Sequence, residues 1–204
     1  MRSLSRRARR HDAAAFSAPS SKRLVLHVGC GPRHSLSLHE RFRGPAWHEI
    51  RLDVDPGVEP DVVASIADMH PVPSGAVDAV WSSHNIEHVF AHEVPTVMGE
   101  FLRVLKPGGE LLVTTPDLQG IGAALARGRL EEPLYKSTAG AVSALDILYG
   151  FGEEIATGRE YMAHRTGFTA ATLARRLSRA GFVDVQISRD DTYALWASAR
   201  RPRR

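Results

Sequence analysis

A doubly wound α/β fold with a mainly parallel sheet follows from three features of the 204-residue sequence. Short apolar runs alternate with helical stretches from residue 24 onward, the order that lets crossover helices cover both faces of a sheet. A glycine turn, Gly29-Cys30-Gly31, closes the first run, at the strand edge where such folds open their ligand crevice. The last two runs are joined by only Arg189-Asp190-Asp191, too short for a parallel crossover, so that pair must be antiparallel. The expectation is a seven-stranded, mainly parallel sheet with one antiparallel strand near the C-terminus.

The elements follow in order. LVLHV at 24–28 is a compact β-run, and residues 35–42 can form a short helix. WHEIRLDVD at 47–55 alternates with period two and reads as the second strand. DVVASI at 61–66 is the third, followed by a polar break at Pro71, Pro73, Ser74 and Gly75. AVDAVWSS at 76–83 is the fourth. Residues 93–105 place apolar side chains at 94, 97, 98, 101, 102 and 105, the spacing of one helical face. Lys106-Pro107-Gly108-Gly109 stops that helix, and ELLVTTP at 110–116 is the fifth strand. The region 119–165 looks helical but irregular. Thr169 caps a helix that runs to Ala180 and closes at Gly181. VDVQIS at 183–188 and TYALWASA at 192–199 complete the sheet.

Composition narrows the class. With 43% hydrophobic and 24% charged residues the chain is ordinary globular material, long enough for one domain with a full core. No apolar run reaches the ~18 residues that a membrane span needs. A single cysteine, Cys30, excludes a disulfide scaffold and a Cys-based zinc site, and suits a reducing, cytoplasmic setting. The net charge of +3 is unevenly spread. Residues 1–23 carry +6 and the last five residues +4, which leaves 15 basic against 22 acidic residues in 24–199. The folded body is thus acidic, so nucleic acid is disfavoured as a partner and a small-molecule acceptor is favoured. Residues 1–22 read as a disordered basic tail and 23–200 as one domain; oligomeric state is left open.

The chemistry-bearing motifs sit at strand ends. Gly29 and Gly31 allow a sharp turn and a close backbone approach to a ligand. The full dinucleotide fingerprint would need glycine at 34, where His34 stands, so a pyrophosphate clamp is disfavoured. Asp53, at the end of the second strand, is placed to accept hydrogen bonds from ribose hydroxyls and is preferred over Asp55. After the third strand, Asp68 can accept from an exocyclic amine while Met69 packs on a flat base.

VGCGP, RLDVDP, ASIADMHPVPSGAVDAVWSSHNIEHV and FLRVLKPGGELLVTTP, in this order over 24–116, resemble class I S-adenosylmethionine-dependent methyltransferases of the type 11 group. The resemblance implies a Rossmann-like methyltransferase fold and S-adenosyl-L-methionine as cofactor. It places Gly29, Cys30 and Gly31 at the methionine end, Asp53 at the ribose, Asp68 and Met69 at the adenine, and Ser83 and His84 near the sulfonium. Arg33 departs from the family, many members of which have a further glycine there. In relatives the stretch corresponding to about 119–168 forms a substrate cover, which makes Tyr149, Tyr161, His164 and Arg165 candidates for the acceptor side. The expected activity is methyl transfer to an oxygen or nitrogen of a small acceptor, with His164 and His84 as catalytic candidates. The alternative is a non-catalytic cofactor-binding module that regulates a partner.

His84-Asn85-Ile86-Glu87-His88 also matches H-x-x-E-H, in which two histidines one helical turn apart bind zinc. Its setting after a strand of a parallel sheet argues against a zinc hydrolase. His84 is a poor hard-metal ligand, so a divalent ion is allowed but disfavoured and no metal ligand is expected.

Overall fold

The computed structural model describes residues 21–33, 38–137 and 140–204. The tail expected to be disordered lies almost wholly outside the described residues, as do the first three residues of the helix expected at 35–42. The described part of that stretch is a 3-10 turn at Glu40–Phe42, which buries Phe42.

Seven strands form one sheet in the order β3-β2-β1-β4-β5-β9-β8. They are β1 (Arg23–Val28), β2 (Trp47–Asp53), β3 (Val62–Val63), β4 (Val77–Ser83), β5 (Leu105–Pro116), β8 (Val183–Arg189) and β9 (Ala194–Arg200). Pairings from β3 through β5 are parallel, and β9 runs antiparallel to both neighbours, the one reversed strand of the sheet. The third strand is far shorter than 61–66. Its chain leaves the edge after two pairs with β2 and turns back on itself through a Ser65–Asp68 bridge.

One face of the sheet packs under α1 (Val94–Val104) and α5 (Ala170–Ala180). Helix α1 presents Val94, Val97, Met98, Phe101 and Val104, and α5 presents Leu173 and Leu177, to the strand residues Leu26, Ile50, Val80 and Leu111. Burying these side chains at roughly 25 cal/mol per Å² is the main favourable contribution. Thr169 caps α5 by accepting from the Thr172 amide, and Gly181 ends it at φ 101 in the left-handed region. The opposite face carries a smaller aromatic cluster of Phe42, Trp47 and Trp81, with Trp196 stacked on Trp81 at 5.9 Å.

The stretch after β5 is mixed, not purely helical. Helix α2 (Leu118–Leu125) is followed by a hairpin, β6 (Pro133–Ser137) with β7 (Gly140–Ser143), and then by short α3 (Ala144–Tyr149) and α4 (Gly152–Ala156). Its apolar residues do not need a helical stripe, because Ile121, Val142, Ala144 and Ile147 converge from three elements into a separate small core. Gly150 fastens the end of α3 at φ 97, where an added Cβ would collide with the Met162 carbonyl. Among the described residues no helix is long and apolar enough to cross a membrane.

Candidate active site

A cavity of about 730 Å³ opens along the carboxyl ends of β1, β2 and β4 and is walled on its outer side by the insertion. That volume suits a ligand of cofactor size with room for a second molecule.

The inner wall begins with the glycine turn. Gly29 and Gly31 both take positive φ, 63 and 61. A Cβ on Gly29 would lie 2.6 Å from Asn85 Cγ, so this turn and the loop after β4 can approach only because no side chain intervenes. Asp53 accepts from the Gly31 amide through Oδ2 and from the Asp55 amide through Oδ1, both at 3.0 Å. Beneath the turn lies Arg51, 5% exposed, whose guanidinium donates to the Gly31 carbonyl and, at 2.9 Å, to the Glu59 carbonyl. Sequence reasoning passed over Arg51; a charged residue set between the apolar Ile50 and Leu52 was the available signal.

Asp55 is differently employed. It caps the turn at Pro56–Val58 by accepting from the Gly57 amide at 2.7 Å, and it accepts from the Tyr161 hydroxyl at 2.8 Å. These two donors, the amide first, hold its carboxyl below the usual range. Tyr161 thereby ties the insertion to the end of β2.

Not every expected cofactor residue reaches the cavity. Gly29, Gly31, Asp53 and Ser83 line it, while Cys30, Asp68 and Met69 do not. Cys30 points into the protein at 1% exposure, and burial pushes its thiol up to about 12. Met69 is fully buried beneath the sheet edge, and Asp68 faces solvent beside His70 at 3.2 Å. The shortness of β3 explains the shift: its early bend brings Ala64, Ser65 and Ile66 to the wall in place of the two later residues. The native chain should therefore react slowly with thiol reagents at pH 8, since the reactive thiolate is scarce and sequestered. Rapid stoichiometric labelling of folded protein would contradict this placement of Cys30.

The loop after β4 supplies the polar end. His84 sits in the left-handed region at φ 45, its amide donating to the Thr114 carbonyl at 3.0 Å. A 3-10 turn at Ile86–His88 follows, so the H-x-x-E-H segment is not on an α-helix and its two histidines are not stacked one turn apart. Glu87 is fully buried, and Thr115 donates to its Oε2 at 3.1 Å. Its backbone carbonyl accepts from the Arg165 amide at 2.8 Å, which brings the end of the insertion onto this loop. His164 packs edge-on against His88 with ring centroids 4.9 Å apart. Tyr161, His164 and Arg165 line the cavity, whereas Tyr149 points away and is 64% exposed.

Electrostatics in this corner is organised by one carboxylate. Burial alone would raise Glu87, but His84 and then the other two histidines outweigh it and hold the group below its ordinary value. Burial would lower His84, and the adjacent Glu87 reverses this and raises it. For His164 burial dominates and the imidazole is lowered. The cavity thus joins a backbone cradle with a carboxylate at one end to a histidine cluster at the other.

The family model described as "Methyltransferase domain" matches residues 26–113, which contain the glycine turn, Asp53 and the loop after β4. Over that segment, 88 of the 204 residues, the chain is similar to a methyltransferase domain. Solved structures share its architecture. An S-adenosylmethionine-dependent methyltransferase from Mesorhizobium loti is 18% identical with a TM-score of 0.58, over 96% of each chain. Another, from Methanosarcina mazei, is 17% identical with a TM-score of 0.56, over 93% of this chain and 96% of that one. The 1,6-didemethyltoxoflavin-N1-methyltransferase of Burkholderia thailandensis, solved with 1,6-didemethyltoxoflavin and S-adenosylhomocysteine, is 15% identical with a TM-score of 0.52, over 95% of this chain and 77% of that one. At such identity these likenesses speak for the fold. No curated protein sequence matches the chain. The segment that matches a methyltransferase domain ends before the insertion that walls the outer side of the cavity.

Proposed function

We propose that this chain transfers the methyl group of S-adenosyl-L-methionine to an oxygen or nitrogen of a small-molecule acceptor held under the insertion. The observation that carries this is the Asp53 carboxylate, fixed by the Gly31 and Asp55 amides at the cavity wall beside a glycine turn. The cofactor's methionine end would lie over Gly29 and Gly31, its ribose hydroxyls would donate to Asp53, and its base would rest against Val54, Ala64 and Ile66. Ser83 and His84 would border the sulfonium.

S-adenosyl-L-methionine supplies an electrophilic methyl group; the protein's part is to align the acceptor with it and to exclude water. Tyr135, Val142, Ile147 and Phe151 form an apolar cover on the acceptor side. His164 and His84 are the side chains there that can take the acceptor's proton. His164 donates Nδ1–H to the Ile147 carbonyl at 2.8 Å, which leaves its Nε2 lone pair available. The acidic body and the enclosed cavity favour a small neutral or cationic acceptor over a polyanion. The single cysteine, buried as a thiol, is compatible with a cytoplasmic location.

Calorimetric titration of the purified chain with S-adenosyl-L-methionine and with its demethylated product tests the cofactor half. Saturable binding of both is expected, and absence of binding at millimolar ligand would refute it. A panel of small acceptors with methyl-labelled cofactor tests the other half. Turnover of any oxygen or nitrogen acceptor is the expected result; transfer confined to nucleic acid or protein would overturn the acceptor class.

A further inference from the structure

Glu87, His88 and His164 come together from two distant parts of the chain, and the methyl-transfer reading gives Glu87 and His88 no task. We propose that these three side chains bind one divalent transition-metal ion of the zinc class. One ligand atom from each lies within 4.8 Å of the other two. Ligands about 2.1 Å from a tetrahedral ion stand about 3.4 Å apart, so a contraction of at most about 1.4 Å by side-chain rotation completes the site. Two imidazoles and one carboxylate with further positions open suit Zn²⁺, Co²⁺ or Fe²⁺; Mg²⁺ and Ca²⁺ take shells of oxygen.

The surroundings of each ligand point to a cation. Glu87 is fully buried, yet its Oε1 has no hydrogen-bond partner. His84 Nδ1 makes an ion-pair contact with that oxygen at 3.3 Å but falls outside hydrogen-bond geometry. The other oxygen is held by Thr115, which orients the carboxylate. His164 spends Nδ1–H on the Ile147 carbonyl, the kind of outer bond that orients a metal-binding imidazole and exposes Nε2. His88 has carbonyl acceptors near both nitrogens, His84 O at 3.1 Å and Ala163 O at 3.3 Å. A neutral ring can donate to only one of them, so the other contact must give way for that nitrogen to turn its lone pair to the ion.

The expectation of no metal rested on His84 standing first in the segment. In the fold His84 is outside the ligand set, and His164, brought in from the insertion, replaces it. His88 and His164 line the cavity while Glu87 does not, so the ion's open positions face the acceptor side. A cation on Nε2 of His164 occupies the lone pair that proton acceptance needs, which leaves His84 for that task in the loaded protein. The proposal does not depend on the identity of the acceptor.

The test is metal binding by the chelator-treated full chain in the absence of cofactor. Titration with CoCl₂ should give one equivalent per chain, with the visible absorption of a nitrogen- and oxygen-ligated Co²⁺ ion, and ZnCl₂ should displace it. His164→Gln should weaken binding by more than about 100-fold, beyond the cost of an outer-shell partner. Thr115→Val, which keeps the buried shape, should weaken it about 10–100-fold. His92→Gln, at an exposed histidine outside the cluster, should bind as the wild type does. Thermal melts of the apo-proteins identify any variant that fails to fold. Absence of saturable Co²⁺ binding, or unchanged affinity in folded His164→Gln, would overturn the site.

Discussion

Replacing Asp53 by alanine is expected to weaken S-adenosyl-L-methionine binding by about 100-fold or more in a calorimetric titration. The carboxylate is 9% exposed and each oxygen already accepts one backbone amide, so its orientation is set before any ligand arrives. A carboxylate retains further acceptor sites, and two ribose hydroxyls can use them. Charge-assisted bonds contribute roughly 1.5–3 kcal/mol each, and losing about 3 kcal/mol in total corresponds to about 100-fold in affinity. The substitution also releases the Gly31 amide and leaves the turn dependent on Arg51 below it. Asp53→Asn separates charge from shape: it keeps an oxygen for one amide but lacks the negative charge, and it should fall between the two. Wild-type affinity in a folded Asp53→Ala protein would mean that the ribose is held elsewhere.

His164→Ala should lower turnover by about 10²–10⁴-fold while cofactor affinity stays at the wild-type level. The side chain reaches the cavity from the insertion, and the proposed cofactor contacts all come from the ends of β1, β2 and β4. Its loss removes a lone pair on the acceptor side whether that lone pair takes a proton or a metal ion. Steady-state kinetics with a working acceptor distinguishes this from a packing effect: kcat should carry the loss, with little change in the melting temperature. Full activity in His164→Ala would remove the residue from the chemistry and leave positioning alone. Should CoCl₂ binding be lost together with turnover, His164 acts as a ligand; should turnover fall without any metal binding, it acts as a base.

Much of the sheet was legible because its causes are local. Strands β1, β2, β4 and β5 are runs of apolar or alternating residues, and a chain buried on one or both faces has to show them. The reversed β9 followed from a three-residue connection, since no parallel crossover fits that length. Thr169 and Gly181 bracketed α5 because capping chemistry acts within one turn. Asp53 and the two glycines could be placed at strand ends for the same reason: a strand end, a turn and an acid one crossover later are short-range features. Where Asp68 and Met69 lie relative to the cavity was not legible, because whether β3 runs for six residues or two depends on pairing with β2 at a sheet edge. The β6–β7 hairpin was hidden as well, since its apolar residues pack against α2 and α3 and not along a stripe of their own. Arg51, Tyr161 and the Glu87–His88–His164 cluster depend on contacts between residues far apart along the chain. Hydrophobic period and turn chemistry report what each segment buries, but only chain folding decides which distant side chains share a buried carboxylate.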